Sequence, residues 1–243
     1  MDHKIIRAQL PVRDLIKIPY NGRILTATLQ PFGPNSYDEN IKAMNQAHRH
    51  PTEPYGQIAF NPATTDESVA IASYMFGDEE TFKLKENVFN PNWLQAGRIV
   101  RTQDGVWTNQ AGQFNEEAMK RLLVPNKKVN GIYLLNENTA FAPYESFKTE
   151  LQSHDDFLQG GLARAIEHTS KPKAEKLEAI ANNKFYPNGV LVGDFEPTSK
   201  PKERVLRLDS DMVIDGDRLD VDGGNWVAGN NGFAFGVAFR ALD

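Results

Sequence analysis

Residues 219–239 read LDVDGGNWVAGNNGFAFGVAF, and two kinds of alternation in this stretch frame the rest of the chain. Leu219 and Val221 alternate with Asp220 and Asp222, the period of a strand with one face turned to a core. Gly223-Gly224 ends that pattern, and an irregular run follows over 225–231. Phe233, Phe235, Val237 and Phe239 then alternate with Ala234, Gly236 and Ala238. Bulky residues on one face and small ones on the other predict a central strand packed closely on its second side.

Immediately upstream the chain is rich in acid. Asp209, Asp211, Asp215, Asp217, Asp220 and Asp222 fall within fourteen residues. Oxygen-rich turns bind Ca²⁺, but the EF-hand order, with Gly at the sixth place and Glu at the twelfth, is not met. Hairpin turns account for Asp215-Gly216 and Asp222-Gly223 without a metal. They leave unexplained Arg218, Asp220 and Asp222, which share the face opposite Leu219 and Val221. That face is either solvated surface or a binding surface.

Further out, the spacing predicts strands around 4–10 and 23–29 with Asn21-Gly22 as the turn between them. A helix opens at Ser36 with Glu39 in capping-box relation, and a second opens at Thr64 with Glu67, with Val69, Ser73 and Phe76 on one face. Strands are expected between 81 and 109, with Asp104-Gly105 closing a hairpin, and over 129–135. Helices are expected after Pro143, with Phe147 and Leu151 paired at i,i+4; along Leu158, Leu162 and Ile166; and over 170–183. The last residues, from Gly189 on, read as strands and turns. Strands, then helices, then strands is an α+β order within a single domain.

The composition closes several routes. The chain has 243 residues, 27 Lys+Arg against 32 Asp+Glu, and no cysteine, which excludes disulfides, Cys-ligated zinc, Fe–S clusters and thiol nucleophiles. A formal charge of -5 gives no long-range attraction to nucleic acid or an anionic membrane. Nothing reads as a secretory signal or a membrane span, so the expected address is the cytoplasm or a virion. No phosphate-binding glycine loop and no nucleophile elbow is present. His48, His50 and Glu53 form an H-x-H-x-x-E group in a Pro-rich stretch that could hold a metal, or His48 closes the first helix and the others are solvated. Asp194 and Glu196 end an apolar strand, as a Mg²⁺ or acid–base pair or simply as an acidic turn.

At Gly223-Gly224-Asn225-Trp226, with Phe233 seven residues after Trp226, the chain resembles the closing segment of the formylglycine-generating-enzyme-like branch of the C-type lectin fold. In that branch a Gly-Gly-Ser-Trp type turn is followed by an irregular loop and a final strand opened by Gly-Phe. The resemblance covers about 205–242; Ala234 stands where the branch more often has Arg after Gly-Phe. It implies an α+β, C-type lectin-like fold with helices flanking a mixed or antiparallel sheet, spanning 1–243 with N-terminal elaborations. Its catalytic members work through cysteine, which this chain lacks, so it points to the non-catalytic variable proteins of diversity-generating retroelements, such as phage tropism determinants and their archaeal and archaeal-viral relatives. These are ligand-binding display proteins, without a cofactor, diversified at codons that yield Asn, Asp, Gly, Ser, Arg, Val and Ala but not Trp, Lys or Glu. Between Asp209 and Asn231 there is no Lys, Glu or Gln. Polar positions there surround a frame of Leu219, Val221, Gly224, Trp226 and Phe233. The ligand-facing residues the resemblance implies are Asp209, Asp211, Asp217, Arg218, Asp220, Asp222, Asn225, Val227, Asn230 and Asn231. The implied partner is a protein or surface glycan, not nucleic acid, with no membrane insertion and with oligomerisation left open. The competing readings are a metal-dependent enzyme using His48, His50 and Glu53 with Asp194, and a structural virion protein.

Overall fold

The computed structural model describes residues 15–47, 59–77, 81, 88–89, 92–109, 114–182, 186–210, 218–224 and 232–239. The first of them form a hairpin, β1 (Leu15–Tyr20) and β2 (Arg23–Thr28), turning through Asn21-Gly22 with φ of 45° and 78°. Positive φ at both centres is the backbone that an Asn-Gly hairpin turn needs. The strand before this turn is therefore 15–20; the expected strand at 4–10 lies outside the described residues. β3 (Phe32–Asn35) leads into α1 (Tyr37–Ala47), and β4 (Ala59–Pro62) into α2 (Thr65–Gly77). Both helices carry the capping box their sequences predict. Glu39 N–H donates to Ser36 Oγ at 3.3 Å and Ser36 N–H to Glu39 Oε2 at 3.2 Å; Thr64 and Glu67 repeat the exchange at 3.4 and 3.0 Å.

β5 (Trp93–Arg101) and β6 (Gly105–Thr108) form the hairpin expected at Asp104-Gly105. α3 (Glu116–Leu123), β7 (Tyr133–Leu134) and β8 (Ala140–Pro143) follow. Instead of a helix after Pro143 there is a single 3-10 turn, Tyr144–Ser146, and Leu151 sits in β9 (Leu151–Gln152). Phe147 leaves the turn in extended conformation, with its ring 6.0 Å from that of Phe195, so core packing outweighs the local i,i+4 pattern. α4 (His154–Gln159) and α5 (Gly161–Ile166) are separated at Gly160. α6 (Glu175–Ala181) begins later than expected, beyond Pro172, and its first N–H groups are capped by the buried Glu167, which accepts from Lys176 at 2.8 Å and Leu177 at 3.1 Å. β10 (Val190–Gly193), β11 (Lys202–Ser210), β12 (Leu219–Asp222), β13 (Gly232–Ala234) and β14 (Gly236–Phe239) complete the chain.

The strands form two mixed or antiparallel sheets. The smaller has the order β1-β2-β14-β4, and the larger runs β7-β8-β6-β5-β11-β12-β10-β9 with β13 and β3 joined at β5. Among the described residues only β10 with β12 and β13 with β5 pair in parallel. α2 is buried along Thr65 to Ala72 and at Met75, more than the one face that Val69, Ser73 and Phe76 suggest, because β1, β5 and α6 all pack on it. No helix among the described residues is long and apolar enough to cross a membrane.

The predicted last strand divides in two. β13 belongs to the larger sheet and β14 to the smaller, with the buried Phe235 at the crossing. Two fully buried amides fix the point of entry: Asn40 Nδ2 donates to Gln95 Oε1 at 2.8 Å and to Gly232 O at 2.9 Å, and Gln95 Nε2 donates to Asn35 O at 3.0 Å. A Cβ at residue 232 would stand 2.2 Å from Gln95 Nε2, so the amide pair and the glycine require each other. Replacing Asn40 by Ala strands two buried acceptors and opens a void. The expected loss is about 3 kcal/mol, read as a lower midpoint at unchanged slope in urea unfolding.

Candidate functional site

β11 and β12 pair antiparallel with Leu208 opposite Val221, Arg207 opposite Asp222 and Asp209 opposite Asp220. Leu206, Leu208, Leu219 and Val221 point into the main core and are fully buried. Where the two strands pair, the other face is charged: Arg207 and Asp209 from one strand, Asp220 and Asp222 from its neighbour, with Val205 farther back on β11 buried in a second apolar cluster. A register shift against β5 between Leu206 and Arg207 sets Arg207 opposite Gln95 and Leu208 opposite Leu94, which keeps leucine on the core side beyond the irregularity.

The charges are tied into a ladder. Arg207 Nη2 lies 2.6 Å from Asp209 Oδ2, its Nη1 lies 3.7 Å from Asp222 Oδ2, and its guanidinium sits 5.2 Å from the centre of the Trp93 ring. Arg218 Nε donates to Asp220 Oδ1 at 2.9 Å. Asp222 Oδ1 also accepts from Gly224 N–H at 2.6 Å, the short local bond that ends β12. Among the described residues three carboxylates here, Asp209, Asp220 and Asp222, face two guanidiniums, Arg207 and Arg218. Asp209 and Asp220 are only 8% and 9% exposed, so this face is not the freely solvated surface that composition allows. Burial, opposed by Arg207 and reinforced by the charges of Asp220 and Asp222, pushes the Asp209 carboxyl up to about 6. Burial raises Asp222 too, against the pull of Gly224 N–H and Arg207. Arg207 feels burial first, but its bond to Asp209 wins and raises it. Among the described residues Asp209 Oδ1, Arg207 Nε and Trp93 Nε1 are buried without a hydrogen-bond partner.

The Gly223-Gly224 pair borders this face. Its glycines serve close approach rather than a left-handed corner: a Cβ at 223 would lie 2.5 Å from the Phe195 ring, and one at 224 would lie 2.6 Å from Asp194 Oδ2. Asp194 itself holds φ 59°, and its carbonyl accepts from Arg101 Nη1, while the exposed Glu196 meets Arg101 at 3.6 Å. The Asp194 carboxylate thus borders Gly224, while that of Glu196 faces Arg101.

Of the ten residues implied as ligand-facing, Asp209, Arg218, Asp220 and Asp222 come together on this face. Asp211, Asp217, Asn225, Val227, Asn230 and Asn231 lie outside the described residues, as do His48, His50, Glu53 and Trp226. Among the described residues no three His, Asp or Glu side chains gather as a metal site requires. Sequence reasoning missed Arg207 and Trp93. Arg207 had a signal, since it alternates in phase with Asp209; Trp93 had none, because only the sheet brings it there.

Because the folded-state value of Asp209 lies above its ordinary one, this group adds stability below pH 4 that is lost as pH rises through about 6. Asn at 209 stays neutral throughout. Relative to the parent chain, Asp209→Asn should therefore gain about 2 kcal/mol on going from pH 4.5 to 7.5 in paired urea titrations. An equal difference at the two pH values would contradict the assignment. Compared with protein-family models, with curated proteins and with solved structures, the chain matches none.

Proposed function

We propose that the chain is a non-enzymatic recognition protein of the C-type lectin-like, retroelement-diversified kind, and that its binding surface is built on the charged face of β11 and β12. The observation that carries this reading is the division of those two strands. One side locks into the core through Leu206, Leu208, Leu219 and Val221, and the other carries charged side chains where the two strands pair, Arg207 and Asp209 against Asp222 and Asp220, beyond the buried Val205. Side chains on such a face can change without the backbone moving, because the packing that holds the strands lies behind them. The same strands lead into the 209–231 segment, which holds no Lys, Glu or Gln.

Three further features support the reading. Phe233 packs against the main core, as a frame residue should. Gly232 opens the final strand under the Asn40–Gln95 clamp, which gives the Gly-Phe start a physical reason. Beyond that strand the chain enters the first sheet as β14, between β2 and β4. In this reading Asp209 and Asp220 form the floor of the surface, Arg218 and Asp222 its half-buried rim, and 211–217 and 225–231 supply the remaining contacts.

Two measurements test it. Natural copies of the gene should differ at Asp211, Asp217, Asn225, Asn230 and Asn231 while Gly224, Trp226 and Phe233 stay fixed, and a near-copy of the 205–242 coding sequence should lie beside a reverse-transcriptase gene. Uniform copies with neither neighbour would overturn the reading. In the purified protein, Ala or Ser at 217, 225 or 230 should shift unfolding by no more than about 0.5 kcal/mol, the range of surface substitutions. Gly223→Ala, which drives a methyl into the Phe195 ring, should cost about 2 kcal/mol or more.

A further inference from the structure

The Asp209–Asp220 pair is the part of this face that a static binding surface does not need. Two carboxylates directly opposite each other across a ladder repel, and these two are also almost wholly buried. Their supports are unequal. Asp222 accepts a hydrogen bond from Gly224 N–H, and Asp220 accepts one from Arg218 Nε. Asp209 has its ion pair with Arg207 through Oδ2 alone, while its Oδ1 is buried without a partner among the described residues. A proton arriving at this face from solvent is therefore best taken by Asp209.

We propose that the Asp209–Arg207 pair is a proton-operated latch on the recognition face: mild acidification neutralises Asp209 and releases the Arg207 guanidinium from it. This inference rests on the reading of that face as a binding surface. The charged and titratable groups around the latch are set on every side. Arg207 stands on the same strand, Asp220 and Asp222 lie across it, and Arg218 neutralises Asp220. Tyr186, buried ahead of β10, feels the charge of Asp209. Arg101 and Asp194 act on Asp222. Arg101 is the β5 residue among these, and the same strand sets the uncharged Trp93 and Gln95 beside Arg207. Once Asp209 is neutral, the nearest carboxylate left to Arg207 among the described residues is Asp222, at 3.7 Å. The cation stays over Trp93 with its Nε–H unpartnered, so the guanidinium can turn to Asp222 or outward. The face loses one negative charge, and Arg207 becomes available to a bound partner that it does not meet at neutral pH.

The latch is read without a ligand, in the full chain labelled with ¹⁵N, by following the Arg207 Nε–H and Trp93 indole N–H resonances from pH 4.5 to 8, assigned with Arg207→Lys and Trp93→Phe. Both signals should move together with a common midpoint near 6 in the parent chain, and neither should move in Asp209→Asn. Asp220→Asn, which removes the opposing charge, should carry the midpoint to lower pH, so the test survives even where Asp209→Asn folds poorly. A flat Arg207 signal, or an unchanged midpoint in Asp220→Asn, would overturn the latch. The outcome is separable from that of the display reading. Variable natural copies with a flat titration leave a display surface without a latch, and a titrating pair in uniform copies leaves a latch on a face with no display role.

Discussion

A single segment, residues 232–239, has to satisfy the backbone of two sheets, and the placement of most other strands follows from how it does so. Three residues of β13 pair with β3 and β5; four of β14 pair with β2 and β4. Between them the chain must leave one ladder and enter another without stranding polar groups in the core. Phe235 O accepts from Ala63 N–H at 3.0 Å, and Gly236 N–H donates to Thr28 Oγ at 3.2 Å, so the crossing is bonded on both sides. The Asn40–Gln95 pair fixes where the crossing begins. β13 positions β5, β5 carries β11 with its register shift, and β11 carries β12 and through it β10. The charged face inherits its location from that chain of pairings.

The register shift has a chemical consequence at that face. It brings Arg207 level with Gln95, near the end of β5 that carries Trp93, and the indole supplies a flat surface for a guanidinium that also serves Asp209 and Asp222. An Arg spanning two carboxylates over an aromatic ring is an arrangement that Lys, a compact point charge, does not reproduce. On the opposite border, Phe195 and Asp194 fill the space that two glycines vacate. The Gly-Gly pair is thus explained by what lies beside it, not by the turn it makes.

Local chemistry was legible in the sequence wherever it is decided by residues a few positions apart. The Asn21-Gly22 turn, both capping boxes, the Asp104-Gly105 hairpin and the alternation at Leu219 and Val221 are all of this kind. Features decided by distant partners were not. A helix after Pro143 fails because Phe147 is drawn out to pack against Phe195, forty-eight positions away. The helix expected from 170 waits for Glu167, whose carboxylate caps a start with no capping side chain of its own. The last strand reads as one continuous alternation, yet the two sheets divide it at Phe235, since period alone does not say which ladder a residue joins. The candidate site follows the same rule: the shared face of Arg218, Asp220 and Asp222 is visible in the alternation, whereas the burial of Asp209 and Asp220 and the Trp93 neighbour come from the sheet.

Burial is what gives that face its meaning. Solvated charges on an exposed strand cost little, but carboxylates shielded from water lose hydration that an ion pair only partly returns. Here the deficit is aggravated by the direct opposition of Asp209 and Asp220 and softened by Arg207 and Arg218, one guanidinium for each. Thr or Val in the same four strand positions would suit a sheet that is half covered and carry no such penalty. Burial of opposed carboxylates at strand positions that apolar side chains could fill works against local stability, and the pairing of β11 with β12 withstands it because Leu206, Leu208, Leu219 and Val221 hold both strands from the core side.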